Sequence, residues 1–131
     1  MLNTQRPGLY ILYDNEKGRG VYSVEDIPKG EIIELCPLII LEKEDMQLIH
    51  KTALHDYYFI WQMENGSAAL ALGYGSLYNH ADEANAEFSN NYETQMIKIS
   101  AIKDIPAHTE ICIHYLSKQK LKGIKLWFEV K

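Results

Sequence analysis

Short apolar stretches recur along the chain and are separated by Gly, Pro or Asn. Runs of β-branched and aromatic residues between turn-forming residues predict strands. The predicted strands are Leu9 to Tyr13, Gly20 to Ser23, Glu31 to Leu35, Leu38 to Leu41, Tyr57 to Trp61, Ala68 to Leu72, Met96 to Ala101 and Glu110 to Tyr115. The pattern therefore indicates a mostly β domain.

One segment has a helical period instead. Met46, Ile49, Ala53 and Tyr57 recur between charged residues, which predicts one helix over about 44–57. Because strands and helices do not alternate along the chain, the pattern excludes a Rossmann-type βαβ fold.

Two segments echo each other in sequence. Asp26 to Ile32 and Asp104 to Ile111 both begin Asp-Ile-Pro and continue into a predicted strand, and we interpret them as two similar hairpins of one fold. A length of 131 residues fits a single domain with a hydrophobic core of its own.

Composition narrows the class of protein. The chain is 47% hydrophobic with no apolar run long enough to cross a bilayer, so we expect a soluble, cytoplasmic protein. Cys36 and Cys112 lie far apart in apolar runs, which predicts buried thiols rather than a disulfide.

The charge of the chain is unevenly distributed. Outside the basic last fourteen residues, eight basic and seventeen acidic residues leave a net charge of −9. That acidic body favours a basic partner over nucleic acid, although acidic surfaces also serve solubility alone.

Three segments offer candidate chemistry. In Lys17 to Ser23, two glycines let the backbone approach a ligand closely, yet alone they fit a plain turn. The second segment, Gly73 to Phe88, contains Asn79 and His80, whose side chains can hydrogen-bond a ligand. Considered alone, Asn79 would be a turn residue and His80 an ordinary, partly buried histidine.

No metal is expected in the second segment, because His80 and Asp82 lack the third and fourth ligands of a zinc site. The third segment, Ile111 to Tyr115, alternates as a strand with Cys112 and His114 on one face. Tyr115 ends that strand and alone would be a core aromatic residue.

In this order and spacing, the three segments resemble the SET-domain family, from about Tyr10 to Tyr115. The family has a GxG segment, a hairpin, a variable insertion, an Asn-His-x-x-x-x-Asn segment and a glutamate-rich turn before a strand and a tyrosine. The match is closest to short bacterial and viral members. Ala81-Asp82 stands where the family commonly has Ser-Cys, His108-Thr109 where it has Gly-Glu, and His114 where it often has aspartate.

The resemblance implies a mostly β (α+β) fold, the SET-domain β-clip of short strands with a pseudoknot-like C-terminal crossing and one helical insertion. It implies one SET domain over 1–131, with a core at about 8–116, the insertion at 44–57 and a tail at 117–131. The implied function is methyl transfer from S-adenosyl-L-methionine to a lysine of a protein. The alternative is a noncatalytic β-clip module that binds a peptide or small ligand, which the altered turn at His108 favours and the retained Tyr115 opposes.

Site residues follow from the resemblance position by position. The catalytic residue is Tyr115. The cofactor contacts are Lys17, Gly18, Arg19, Gly20, Asn79 and His80, with Trp127 or Phe128 over the adenine. The substrate contacts are Tyr74, Phe88 and Ile113, and no metal is implied. Because Phe88 and Ile113 carry no phenol that could hold a methylated amine, we expect two or three added methyl groups. The expected partner is a basic, lysine-containing protein, with neither nucleic acid nor membrane bound and the oligomeric state open.

Overall fold

The computed structural model describes residues 4–16 and 18–115, and this part of the chain is mostly β. Its strands are β1 (Leu9–Asp14), β2 (Gly18–Ser23), β3 (Ile32–Leu41), β4 (Tyr58–Gln62), β5 (Ser67–Ala71), β6 (Asn79–His80), β7 (Ala86–Asn91), β8 (Met96–Ala101) and β9 (Cys112–Ile113). It also has one α-helix, α1 (Lys43–Ile49), and short 3₁₀ turns at Ala53–Asp56, Met63–Asn65 and Gly75–Leu77. None of the helices described here is long and apolar enough to span a bilayer.

The strands form two sheets, of which the smaller is the β1–β2 hairpin. The larger sheet has the order β4-β5-β3-β8-β7-β9-β6. Strand β3 joins its two halves, because the residues up to Pro37 pair with β8 and those from Leu38 pair with β5. The sequence predicts two separate strands here, Glu31 to Leu35 and Leu38 to Leu41, and this is wrong because β3 continues through Pro37. Pro37 lies where β3 changes partner, which is where a missing N–H disturbs the sheet least.

The insertion contains a shorter helix than the sequence predicts. Helix α1 ends at Ile49, and Thr52 then accepts a hydrogen bond from the N–H of Leu54 and donates one to the carbonyl of Ile49 at 2.6 Å. These local bonds satisfy the end of the helix and start a 3₁₀ turn instead. The prediction of one helix over 44–57 is therefore wrong in its extent.

The core forms because the large sheet curls on itself. The rings of Phe59 in β4 and Phe88 in β7 have centroids 4.9 Å apart, although three strands separate β4 from β7 in the sheet order. Strand β7 was not predicted, because its polar residues hide the alternation of buried Ala86 and Phe88 with exposed Glu87. Both cysteines are buried and neither forms a disulfide, as predicted.

The two echoing segments contact each other directly. Ile27 and Ile105 exchange both backbone hydrogen bonds, each 2.8 Å long. Asp26 accepts from the N–H of Ala107, and Asp104 accepts from the N–H of Lys29, each also at 2.8 Å. The paired segments therefore join the first third of the chain to the approach to β9.

The C-terminal crossing predicted from the family resemblance is confirmed. Strand β9 lies parallel between β6 and β7, with Cys112 opposite Asn79 and Ile113 opposite Ala86. Ile111 bridges to Val21 of β2. The strand is shorter than predicted, and burial does not alternate along it.

Candidate active site

Gly20 of β2 lies against Glu110, which Asn79 also contacts. A Cβ on Gly20 would stand 2.5 Å from Oε2 of Glu110, so this position excludes a side chain while the carboxylate stays in place. Nδ2 of Asn79 donates to the carbonyl of Arg19 at 2.8 Å and to Oε2 of Glu110 at 2.6 Å. Segments far apart in the sequence therefore meet here, around a carboxylate.

Asn85 fastens the C-terminal segment beside this meeting point. Its Nδ2 donates to the carbonyl of Glu110 and its Oδ1 accepts from the N–H of Cys112, both at 2.9 Å. The carboxamide thus binds one donor and one acceptor of the backbone that leads into β9. Asn85, the second asparagine of the Asn-His-x-x-x-x-Asn segment, therefore fixes the backbone that leads into β9.

His80 connects the Asn-His pair to Tyr115. The ring is 8% exposed, and its Nδ1 accepts the N–H of Tyr115 at 3.0 Å. Because Nδ1 accepts, a neutral ring carries its proton on Nε2, which donates to Asp82 at 3.1 Å. Asp82, at the family's usual cysteine position, therefore helps to orient His80.

His80, Asp82 and His114 have the composition of a metal site, since one ligand atom from each lies within 4.8 Å of the others. His80 and Asp82 do not lack a third ligand, because the fold supplies His114. The tautomer gives a different reason against a metal. Nε2 of His80 would have to lose its proton while Nδ1 still accepts from Tyr115, and such an imidazolate is costly. The absence of a metal stays a prediction on that ground.

Tyr115 lies half-buried beside the Asn-His pair. Its hydroxyl donates to the carbonyl of Tyr78 at 3.2 Å, and its ring centroid is 5.0 Å from that of His80. The segment that carries the predicted cofactor contacts Asn79 and His80 is therefore the segment that orients the predicted catalytic phenol.

The altered turn keeps a backbone conformation that glycine adopts easily. His108 has a φ of 62°, in the left-handed region, where a side chain costs roughly 1–2 kcal/mol. Its Nδ1 is hydrogen-bonded to the hydroxyl of Tyr10 at 2.8 Å, and the Tyr10 ring stacks on Tyr22. These contacts offset part of the strain, so replacing the family's glycine leaves the turn before Glu110 intact.

The residues predicted to bind substrate pack in or against the hydrophobic core. Ile113 is fully buried, and Phe88 packs against Phe59 in the core. Tyr74 is half-buried against the same core. A role for these residues in binding substrate stays a prediction. Lys17, Trp127, Phe128 and the predicted tail at 117–131 lie outside the described residues.

Glu110 is the site residue whose role sequence reasoning misses. The family pattern includes a glutamate at this place, but nothing in the local sequence shows that it faces Gly20 and Asn79. The contact between Gly20 and the carboxylate of Glu110 would identify this role, and it exists only in the folded chain.

Comparisons with known proteins identify the fold and the family. The family model described as SET domain matches residues 18–116. A Schizosaccharomyces pombe protein named "Histone-lysine N-methyltransferase, H3 lysine-37 specific" is 33% identical over 125 residues, which cover 95% of this chain and 79% of that protein. A candidate histone methyltransferase from Plasmodium falciparum is 34% identical in sequence, with a TM-score of 0.65, and the match covers 82% of this chain and 96% of that one.

The fold is also that of the Neurospora SET domain protein DIM-5, a histone lysine methyltransferase. The TM-score is 0.68 at 18% identity, and the match covers 88% of this chain and 54% of that one. Together with the family match over most of the chain, these relatives show that the protein belongs to the SET-domain family and that its reaction is methyl transfer to a lysine side chain of a protein.

Proposed function

We propose that the chain methylates a lysine of a basic, histone H3-like protein, with S-adenosyl-L-methionine as the methyl donor and Tyr115 as the catalytic residue. The observation that carries the proposal is the meeting of the Gly20 backbone, Asn79 and Glu110 beside the His80–Tyr115 contact. The histone is suggested by the named activity of the Schizosaccharomyces pombe relative.

The residues at the start of β2 fit the proposed donor. Gly20 lets the backbone approach the Glu110 carboxylate closely, and that carboxylate suits a ligand that carries positive charge. When bound, S-adenosyl-L-methionine supplies an activated methyl group on a positively charged sulfur. Backbone at residues 18–20, together with Asn79 and His80, would hold it.

Tyr115 would act on the lysine amine. A free lysine has a pKa near 10.4, so a neutral amine at pH 7 costs roughly 4–5 kcal/mol, and apolar surroundings lower that cost. Because the hydroxyl of Tyr115 donates to the carbonyl of Tyr78, its oxygen can accept an amine N–H. That contact would direct the nitrogen lone pair, and alignment of this kind supplies much of the rate acceleration.

Charge supports a basic substrate. Outside the last fourteen residues the chain has a net charge of −9, which favours encounter with a lysine-rich protein and disfavours nucleic acid. The cytoplasmic location expected from composition stays a prediction, as does the absence of membrane binding.

Methylation of histone H3 is the direct test of this function. Recombinant histone H3, incubated with the protein and excess methyl-labelled S-adenosyl-L-methionine, should gain label on lysine, and mass spectra should show two or three methyl groups at long times. The apolar Phe88 and Ile113 would let a methylated nitrogen rotate. A matched reaction uses H3 in which lysine 37 is replaced by arginine, and label at the undiminished level would exclude that lysine as an acceptor. An H3 product that stops at one methyl would contradict this view of the pocket, and unlabelled H3 would contradict the histone substrate.

The predicted cofactor role of Asn79 has a separate test. Asn79→Ala removes the donor that joins the Arg19 carbonyl to Glu110, so the dissociation constant for S-adenosyl-L-methionine should rise about tenfold or more. Calorimetric titration measures it. Asn65→Ala, which removes a turn-forming carboxamide outside the site, should leave the constant unchanged. Equal affinities of a folded Asn79→Ala variant and the wild-type protein would reject the assignment.

A further inference from the structure

Among the described residues, Glu34 is the one buried acidic side chain, at 2% exposure. Its Oε1 accepts the hydroxyl of Tyr78 at 2.7 Å. Its Oε2 accepts the N–H of Tyr74 at 3.0 Å and Nε2 of Gln5 at 3.2 Å. The carboxylate is therefore enclosed by donors from two distant segments, and nothing in the methyl-transfer reaction requires it to be there.

The strand itself turns Glu34 inward. The pairing of β3 with β8 shifts register between Ile32 and Glu34, and both Ile33 and Glu34 are buried in consequence. Irregularities of this kind re-aim a side chain that regular alternation would send to the opposite face. Burying a carboxylate costs free energy unless hydrogen-bond partners compensate. This placement therefore indicates that Glu34 holds its partners in position rather than filling space in the core.

Tyr78 connects this carboxylate to Tyr115. The Tyr78 side chain is 1% exposed, and burial, followed by the nearby Glu34, raises the pKa of its phenol, so the hydroxyl stays protonated and donates. The carbonyl of the same residue accepts the hydroxyl of Tyr115, and the next two residues are Asn79 and His80. A single residue thus carries the Glu34 contact at its side chain and the Tyr115 contact at its backbone.

We propose that Glu34, acting through Tyr78, is a positioning residue for Tyr115. The carboxylate fixes the buried Tyr78 side chain and the N–H of Tyr74, and so fixes where the carbonyl of Tyr78 meets the hydroxyl of Tyr115. This inference rests on the proposed catalytic role of Tyr115.

Tyr78→Phe tests the link with the smallest change, because it removes the hydroxyl and keeps the ring and the backbone carbonyl. Tyr58→Phe is the matched control, since it removes another buried phenol hydroxyl, which is bonded to His50 in the insertion. The first readout needs no substrate. It is the chemical shift of the ¹³Cζ resonance of Tyr115 in protein with S-adenosyl-L-methionine, and the resonance is assigned by its loss in Tyr115→Phe. The second is kcat and KM for recombinant histone H3, with cofactor affinity measured by calorimetry.

The expected result for Tyr78→Phe is a displaced Tyr115 resonance and a kcat about 10- to 100-fold lower, with cofactor affinity within about threefold of wild type. Tyr58→Phe should change neither readout. If Tyr78→Phe does not fold, Glu34→Gln, which keeps one acceptor oxygen, should displace the same resonance.

Two results would overturn the inference: an unmoved Tyr115 resonance in the folded variant, or equal changes in Tyr78→Phe and Tyr58→Phe, which would mean a merely structural role. Failure of the proposed function looks different. In that case Tyr115→Phe would keep full turnover whatever Tyr78→Phe does. Failure of the inference alone would leave Tyr115→Phe strongly impaired and Tyr78→Phe no more impaired than Tyr58→Phe.

Discussion

Replacing Tyr115 by phenylalanine should lower kcat for histone H3 by about 100- to 1,000-fold, which is the loss typical of removing one positioned hydrogen-bonding group at a reacting centre. The hydroxyl is held by the carbonyl of Tyr78, and the backbone N–H of Tyr115 is held by His80. The substitution removes the first contact and keeps the second, and the ring still packs against that of His80, so the ring should stay in place. Single-turnover methylation at saturating cofactor measures the chemical step, and calorimetry should show unchanged binding of S-adenosyl-L-methionine.

Tyr92→Phe is the control for this experiment. The hydroxyl of Tyr92 also donates to a backbone carbonyl, that of Trp61 at 2.8 Å, but it lies at the β7–β8 hairpin, outside the site. Its removal should leave turnover unchanged. Wild-type turnover by Tyr115→Phe would remove Tyr115 from the mechanism.

Gly73→Ala should destabilise the fold by about 3–5 kcal/mol. Gly73 has a φ of 66°, in the region that costs a side chain roughly 1–2 kcal/mol. A Cβ there would also overlap Oε2 of Glu34, which must move and give up buried hydrogen bonds worth about 1–3 kcal/mol each. The free energy of unfolding from urea titration measures the combined loss.

Gly30→Ala separates the two costs. Gly30 has a φ of 90°, but a Cβ there meets no atom within 4 Å. Its substitution should cost only the conformational part, roughly 1–2 kcal/mol. Equal losses for the two variants would show that the space beside Glu34 is not needed.

Local patterns predict much of the β framework. Strand β8 alternates buried Ile97 and Ile99 with exposed Lys98, and its bounds match the prediction from 96 to 101. The order of the GxG, Asn-His and C-terminal tyrosine segments predicts the family, which the comparisons confirm. Where polar residues interrupt the alternation, as in β7, or where Thr52 ends a helix, the local pattern does not give the element correctly.

The sequence by itself determined most of the extended segments and the family of the chain, and it predicted the site residues, because these depend on periodicity, spacing and order. Only the tertiary structure decided what those residues touch. Glu34 and Tyr78 lie 44 positions apart, and Asn79 and Glu110 lie 31 apart. No local pattern records such pairs, because each is created by strand register and by the crossing of β9 between β6 and β7. A shift of one residue in register reverses the face to which a side chain points, so contacts of this kind depend on the whole sheet.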